Sequence, residues 1–541
     1  MTLVPVQRID ADVAIVGSGF AGSLLSIILR QRGMRVVLLE RGRHPRFAIG
    51  ESSTPLAGLL IEELADRYDL PRLRPFSKWG TWQARYPDVA CGRKRGFSFF
   101  QHDTRRPFAD DHSHARQLLV AASPNDTIAD THWYRPDFDH WLVREAEASG
   151  VRYFDDSCLD DPAFDQGHPV IEATRHGERL RVDATFLVDA SGPRGFLWSR
   201  LGLGDAPTPW LPPTQALYTH FEGVQRWDSL VASDATPPYP VDDAALHHVL
   251  PGAWVWVLRF NNGLTSAGVA ATDAVACHYG FDEGADAWVR LMADYPSVRA
   301  QFAAARSSRP FVHTPRVAHR TAVVAGRDWA LLPSAAGVID PLLSTGFPLT
   351  LLGIGRLARV LEETAPGTAR EAALARYAKD TTEELETTER LVAALYATMS
   401  DFPLFKRLTA LYFAAASYAE TVRRLGQPDR ARGFLLHADP IFGPALRGIT
   451  ARVLALPRGQ ARDAARSRVF DDVVGAIVPF DVAGLGDTTR RDWYPVLASD
   501  LLAARDLLGV SSAAIDALLA RCGFANTNPA SAPALAGQVR A

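Results

Sequence analysis

Ala11-Asp12-Val13-Ala14-Ile15-Val16-Gly17-Ser18-Gly19-Phe20-Ala21-Gly22 decides the fold. A short apolar run enters Gly-x-Gly-x-x-Gly, and a helical apolar pattern follows from about Ala21 to Arg32. Gly33 closes that pattern, and a second strand-like run, Arg35–Glu40, ends on an acid. Strand, glycine turn, helix and strand in about thirty residues make the β-α-β unit of a parallel sheet. Gly17 permits the tight turn, Gly19 lets a pyrophosphate approach the backbone, and Gly22 lets helix and strand pack closely. The helix N-terminus favours the phosphate charge. Glu40, 23 residues after Gly17, is placed for a ribose hydroxyl. Phe20, Ala21 and Arg41 complete the residues expected to line this dinucleotide site.

A chain of 541 residues is too long for one ordinary core and predicts two or three packed regions. Net charge is -3 with both signs interspersed, which gives no basic stripe for nucleic acid. No run of eighteen apolar residues predicts a membrane span. The N-terminus reads as a strand rather than a signal peptide. The four cysteines form no CxxC pair, so neither a disulfide framework nor a zinc site is expected, and a cytoplasmic location fits. His102, His112 and His114 lie close together but lack metal-ligand spacing, so no metal is expected.

A helix is predicted over 52–70, capped by Ser52 or Ser53. Residues 75–122, rich in aromatics and arginine, read as strands and loops around a site. A helix over Pro136–Ser149 stops at Gly150. Leu180–Val188 reads as a strand entering Asp189-Ala190-Ser191-Gly192, and 328–332 as another. Alternating segments such as Ala253–Phe260 and Leu264–Ala271 predict an antiparallel sheet. Beyond Phe347 the pattern is almost wholly helical, with a frayed end. The expected architecture is α/β: a Rossmann-type nucleotide domain (1–205 plus 300–355), an inserted antiparallel substrate region (206–299) and a helical C-terminal region (356–541).

Two late segments resemble those of two-dinucleotide-fold flavoproteins, in which they run along FAD. They are the strand ending at Asp189 and Trp329–Gly346, WALLPSAAGVIDPLLSTG. Asp340 and Pro341 match that pattern, while Pro333-Ser334 stands where Gly-Asp is usual. The resemblance implies FAD, with Asp189, Asp340 and Gly346 among its contacts.

Within that class the chain resembles the flavin-dependent halogenase family, over roughly residues 11–355. Ile49-Gly50-Glu51-Ser52 with Pro55 is similar to the family's strap over the flavin, which makes Ser52 a cofactor contact. Lys78 in FSKWG resembles the family's lysine before x-Gly. The resemblance implies that FADH2, O2 and chloride or bromide generate hypohalous acid, and that this lysine holds it or becomes a haloamine. Val338–Gly346 is similar to Phe-x-x-Pro-x-x-Ser-x-Gly, with Val338 for Phe, which assigns the halide to the backbone amides of Thr345 and Gly346. Tryptophan-type members carry a glutamate before the serine; Leu343 stands here, so phenol and pyrrole halogenases are the nearer comparison. Trp254 and Trp256 lie in WVWVLR, a departure from Trp-x-Trp-x-Ile-Pro, the segment that separates substrate from flavin.

The resemblance implies an enzyme of secondary metabolism acting on an electron-rich aromatic, free or tethered to a carrier protein. A separate NAD(P)H flavin reductase would supply FADH2. A flavin monooxygenase or dehydrogenase on the same fold, and a non-catalytic flavin-binding protein, are the alternative readings.

Overall fold

The computed structural model describes residues 6–111, 113–165, 168–231, 235–457 and 461–524. His112 and the chain after 524 lie outside the described residues. Strand β1 (Val6–Val16) is followed by helix α1 (Phe20–Gln31) and strand β2 (Val36–Leu39). β2 and the strand Glu178–Asp189 both pair with β1 in parallel. Trp329–Leu331 pairs in parallel with the end of Glu178–Asp189. Ala14 and Ile15 are wholly buried because helices cover the faces of this sheet, as the continuous apolar run of β1 requires.

The next helix, α2 (Pro55–Arg67), is capped by Thr54, whose hydroxyl accepts from Ala57 N. Neither Ser52 nor Ser53 caps it, because Pro55 takes the first helical turn and moves the cap to its neighbour. Four short strands follow: β3 (Cys91–Lys94), β4 (Gly96–Gln101), β5 (Gln117–Ala121) and β6 (Asp130–Trp133).

A second sheet is built from Thr214–Glu222, Ala245–Leu250, Ala253–Arg259 and Thr265–Thr272. The sequence-based boundaries kept 1–205 apart from this sheet, but β4 pairs in parallel with Ala245–Leu250, and β5 pairs with β4. Trp493-Tyr494, from the region expected to be helical, adds to the edge at β5. Backbone pairing between segments so distant leaves no local mark in the sequence. Ala253–Arg259 alternates as a strand must: Trp254, Trp256 and Leu258 enter the core shared with the nucleotide sheet, while Val255 and Val257 enter a separate core.

Long helices Gly346–Glu363, Thr368–Thr398 and Phe402–Arg424 pack behind the site. Among the described residues, no helix is long and apolar enough to cross a membrane.

Candidate functional site

The glycine turn shows which atoms it makes room for. Gly17 has φ +100°, and a Cβ there would stand 2.6 Å from Ala190 O. At Gly22 a Cβ would lie 1.9 Å from Gly17 O. Both glycines are therefore demanded by the protein's own packing. Gly19 differs: its nearest protein atoms would be Arg135 Nη2 and Asp139 Oδ2, each at 3.7 Å. The space before Gly19 is left open at the N-terminus of α1, as a pyrophosphate site needs. Glu40 Oε2 accepts from Ser18 N at 2.9 Å and from Arg46 Nη2 at 3.1 Å. Although burial opposes ionisation, Arg46 and these donors hold its carboxyl below the usual range.

The same cleft contains a cation that sequence reading missed. Arg135 grips Asp139 with two bonds of 2.7 Å and donates to Gly50 O at 2.9 Å, so it ties the strap to the glycine turn. Its guanidinium lies over Phe20, and Phe20 meets Phe347 edge-on at 5.0 Å. The start of α1 thus abuts the start of Gly346–Glu363. A Cβ at Gly346 would meet nothing within 4 Å, which leaves the amide end of that helix open. Just before it, Leu343 and Ser344 hold φ of 68° and 56°, a costly pair for non-glycine residues. Tyr412 braces this turn by donating to Leu343 O at 2.8 Å.

Lys94 connects these parts. β3 pairs antiparallel with β6, so Lys94 stands opposite Asp130. The strap lies on the other side of β6: Ser53 N donates to Thr131 O, and Ser52 bridges His132. The Lys94 Nζ reaches across to donate to Ser52 Oγ at 3.0 Å, to Ser53 O, and to Ser344 Oγ at 3.4 Å. Its ammonium is 3.8 Å from the Phe97 ring centre and 4.0 Å from Asp130 Oδ2. The side chain is wholly buried, and this desolvation pulls the ammonium far below the usual lysine range. Burial likewise raises the Asp130 carboxyl.

Lys78, the lysine singled out from sequence, has another setting. It ion-pairs with Glu62 Oε1 at 3.0 Å, where Arg424 also approaches, and it remains a quarter exposed. The structure brings it to a cavity wall but not to the strap or to Ser344. Asp189 caps its own turn, accepting from Ser191 N at 2.8 Å and Leu197 N at 2.6 Å. Arg41 is exposed, and Arg46 is the arginine that reaches Glu40.

Asp340 is buried, accepts from Leu342 N and receives Tyr396 Oη–H at 2.9 Å; Trp254 Nε1 in turn donates to Tyr396 at 3.2 Å. Trp254 thereby helps fix the Asp-Pro turn. Trp256 donates to Ser266 at 3.3 Å. Arg259, in the place of proline, binds Asp242 at 2.9 Å and Val224 O at 2.9 Å, anchoring the strand end. Pro333 packs where a Cβ on Gly353 would come within 2.2 Å, so the departure from Gly-Asp seats the long helix. Burial pushes the Asp340 carboxyl up to about 6. Ionising it therefore costs folding energy as pH rises from the unfolded value through about 6. Tyr396→Phe should cost about 1–3 kcal/mol, with a larger loss of Tm at about pH 8 than at about pH 5. Equal losses at both would show that Tyr396 does not support the ionised carboxylate.

A cavity of about 190 Å³ has Phe97 and Asp130, both neighbours of Lys94, in its wall, together with Pro348, Tyr412, Phe413 and Tyr494. Lys78, Glu420 and Arg424 form its polar rim.

A family model described as tryptophan halogenase matches residues 122–427, and one for an NAD(P)-binding Rossmann-like domain matches 15–61. The chain is 29% identical over 424 residues to tetracycline 7-halogenase of Kitasatospora aureofaciens, covering 75% of this chain and 73% of that protein. It is 30% identical over 419 residues to the monodechloroaminopyrrolnitrin halogenase PrnC of Pseudomonas fluorescens, covering 74% and 70%. The solved structure of halogenase PltM in complex with phloroglucinol and FAD superposes with a TM-score of 0.76 at 24% identity, over 89% of this chain and 99% of that one. That last likeness is one of fold.

Proposed function

The chain belongs to the flavin-dependent halogenase family, and we propose that Lys94 is the residue that presents the electrophilic halogen to an aromatic substrate. The protein is an FAD-dependent oxidoreductase. One observation carries the assignment of Lys94: a fully desolvated ammonium spans the strap and the turn before Gly346, against Phe97 and Asp130 of the cavity wall.

Reduced FAD, when bound, supplies hypohalous acid from O2 and halide. The open glycine turn and Glu40 suit its adenosine diphosphate end, and Arg135 places a positive charge beside that turn. The amides of Thr345 and Gly346, at an unobstructed helix start, suit the halide. Lys94 Nζ donates a hydrogen bond to the hypohalous oxygen and polarises the oxygen–halogen bond toward the cavity. Phe97, Pro348 and Phe413 keep that side apolar, so that little water competes.

The cavity suits one electron-rich aromatic ring, phenol- or pyrrole-like. Its partly exposed polar rim suits either a free molecule or one tethered to a carrier protein. The chain holds one Gly-x-Gly-x-x-Gly at a strand end, which fits FADH2 delivery by a separate NAD(P)H flavin reductase.

The test supplies FADH2 through a flavin reductase and measures bromophenol from phenol and bromide. Bromophenol is the expected product. Catechol formed without regard to bromide would move the assignment to a monooxygenase. Gly346→Ala should fold normally and raise the bromide KM about tenfold, the equivalent of one weakened charge-assisted hydrogen bond. An unchanged bromide KM would remove the halide from this helix start.

A further inference from the structure

Lys94 stands behind the cavity wall, and two of its neighbours, Phe97 and Asp130, are part of that wall. The Asp130 carboxyl is buried, and no donor holds either oxygen in a well-formed hydrogen bond; the Ser53 hydroxyl and Thr131 N are the donors beside it. Tyr412 could have supplied a donor, but its hydroxyl is committed to Leu343 O. Leaving a buried carboxyl without a well-formed hydrogen bond is costly, so its lining of a cavity marks it for a partner that comes from outside. The β3–β6 register fixes the arrangement, because Lys94 and Asp130 are direct cross-strand neighbours with side chains on one face.

We propose that Asp130 is the base that removes the ring proton when the substrate is halogenated. This rests on the halogenase reading of Lys94. The ring carbon bonds to the halogen of hypohalous acid, and the oxygen–halogen bond breaks with its electron pair left on oxygen. That oxygen takes a proton from the Lys94 ammonium and departs as water. The halogenated ring carbon gives its proton to an Asp130 oxygen, and the carbon–hydrogen electron pair restores aromaticity. Asp130 Oδ2 and Lys94 Nζ stand 4.0 Å apart, and the lysine side chain closes to hydrogen-bond distance to take this proton back, so aromatic C–H plus hypohalous acid give aromatic C–halogen plus water. The carboxylate that tryptophan-type members place before the serine, absent here at Leu343, is thereby supplied from another strand.

Several groups set the charge around Asp130. Lys94 faces it from β3, and Glu420 and Tyr412 face it from Phe402–Arg424. His132 and His247, near Lys94, are kept neutral chiefly by burial. Burial brings the acid up and the lysine down toward one another, which favours proton return between them.

The test uses the full-length FAD enzyme with a flavin reductase, bromide, and either phenol or ring-deuterated phenol. Asp130→Asn should keep FAD binding and lose bromophenol at least about 100-fold, the low end for a positioned base. It should acquire a ring-deuterium isotope effect that the wild type lacks, and lose the acid limb of the pH profile. Hypobromite trapped by monochlorodimedone should persist in the variant, and Asp130→Glu should recover part of the activity. Bromination by Asp130→Asn at the wild-type rate would overturn the proposal. So would a loss without an isotope effect and with trapping lost as well, which would make Asp130 a positioning residue for Lys94. A wild type that makes neither bromophenol nor trapped hypobromite would overturn the halogenase reading itself.

Discussion

Lys94→Ala should bind FAD like the wild type and lose at least about 100-fold in bromophenol formation. The loss should be in kcat, with phenol KM little changed, because Lys94 lies behind the cavity wall. The contrast is Lys78→Ala, whose kcat should remain within about twofold, since a partly exposed ion pair contributes at most about 1 kcal/mol. The pH profile offers a second check. The step needs a protonated Lys94 and an ionised Asp130. Burial raises the acid and lowers the lysine, so both limbs of the bell should lie nearer neutrality than ordinary side chains would place them. A Lys78→Ala variant that loses bromination while Lys94→Ala retains it would reverse the assignment.

Gly19→Ala and Gly22→Ala should fail in different ways. At Gly22 the new methyl overlaps a backbone oxygen, so α1 must shift. Stability should fall by about 1–3 kcal/mol or more, and FAD binding with it. At Gly19 the methyl meets only ordinary contacts, so the apo-protein's Tm should be nearly unchanged. FAD affinity should still fall about 100-fold, because the methyl occupies the pyrophosphate's approach. Calorimetry of the apo-proteins and flavin fluorescence titration separate the two effects. Tight FAD binding by Gly19→Ala would place the pyrophosphate elsewhere.

The nucleotide half of the site is readable because its determinants are local. The Gly17–Gly22 turn, α1 and Glu40 sit within one β-α-β unit, and the glycine spacing marks them there, although Gly17 itself is held to glycine by Ala190 from a distant strand. The turn at Asp340–Gly346 is legible only as a family pattern, since Tyr396 and Tyr412 brace it from distant helices. Arg135 carried no such sign, since its contacts with Gly50 and the glycine turn cross more than eighty residues of sequence.

The lysine shows where local pattern stops. Lys78-Trp79-Gly80 and Lys94-Arg95-Gly96 are the same Lys-x-Gly. Both glycines are demanded by packing: a Cβ on Gly80 would lie 2.4 Å from Thr127 O, and one on Gly96 2.3 Å from Val120 O. Nothing in either tripeptide distinguishes the two. Sequence alone is enough for the dinucleotide fold and its glycine turn, because these depend on backbone geometry within one supersecondary unit. Only the tertiary structure decided which lysine is desolvated and which acid faces it. Burial and proton affinity are sums over neighbours, and here those neighbours come from the strap, β6, the turn at Ser344 and the C-terminal helices.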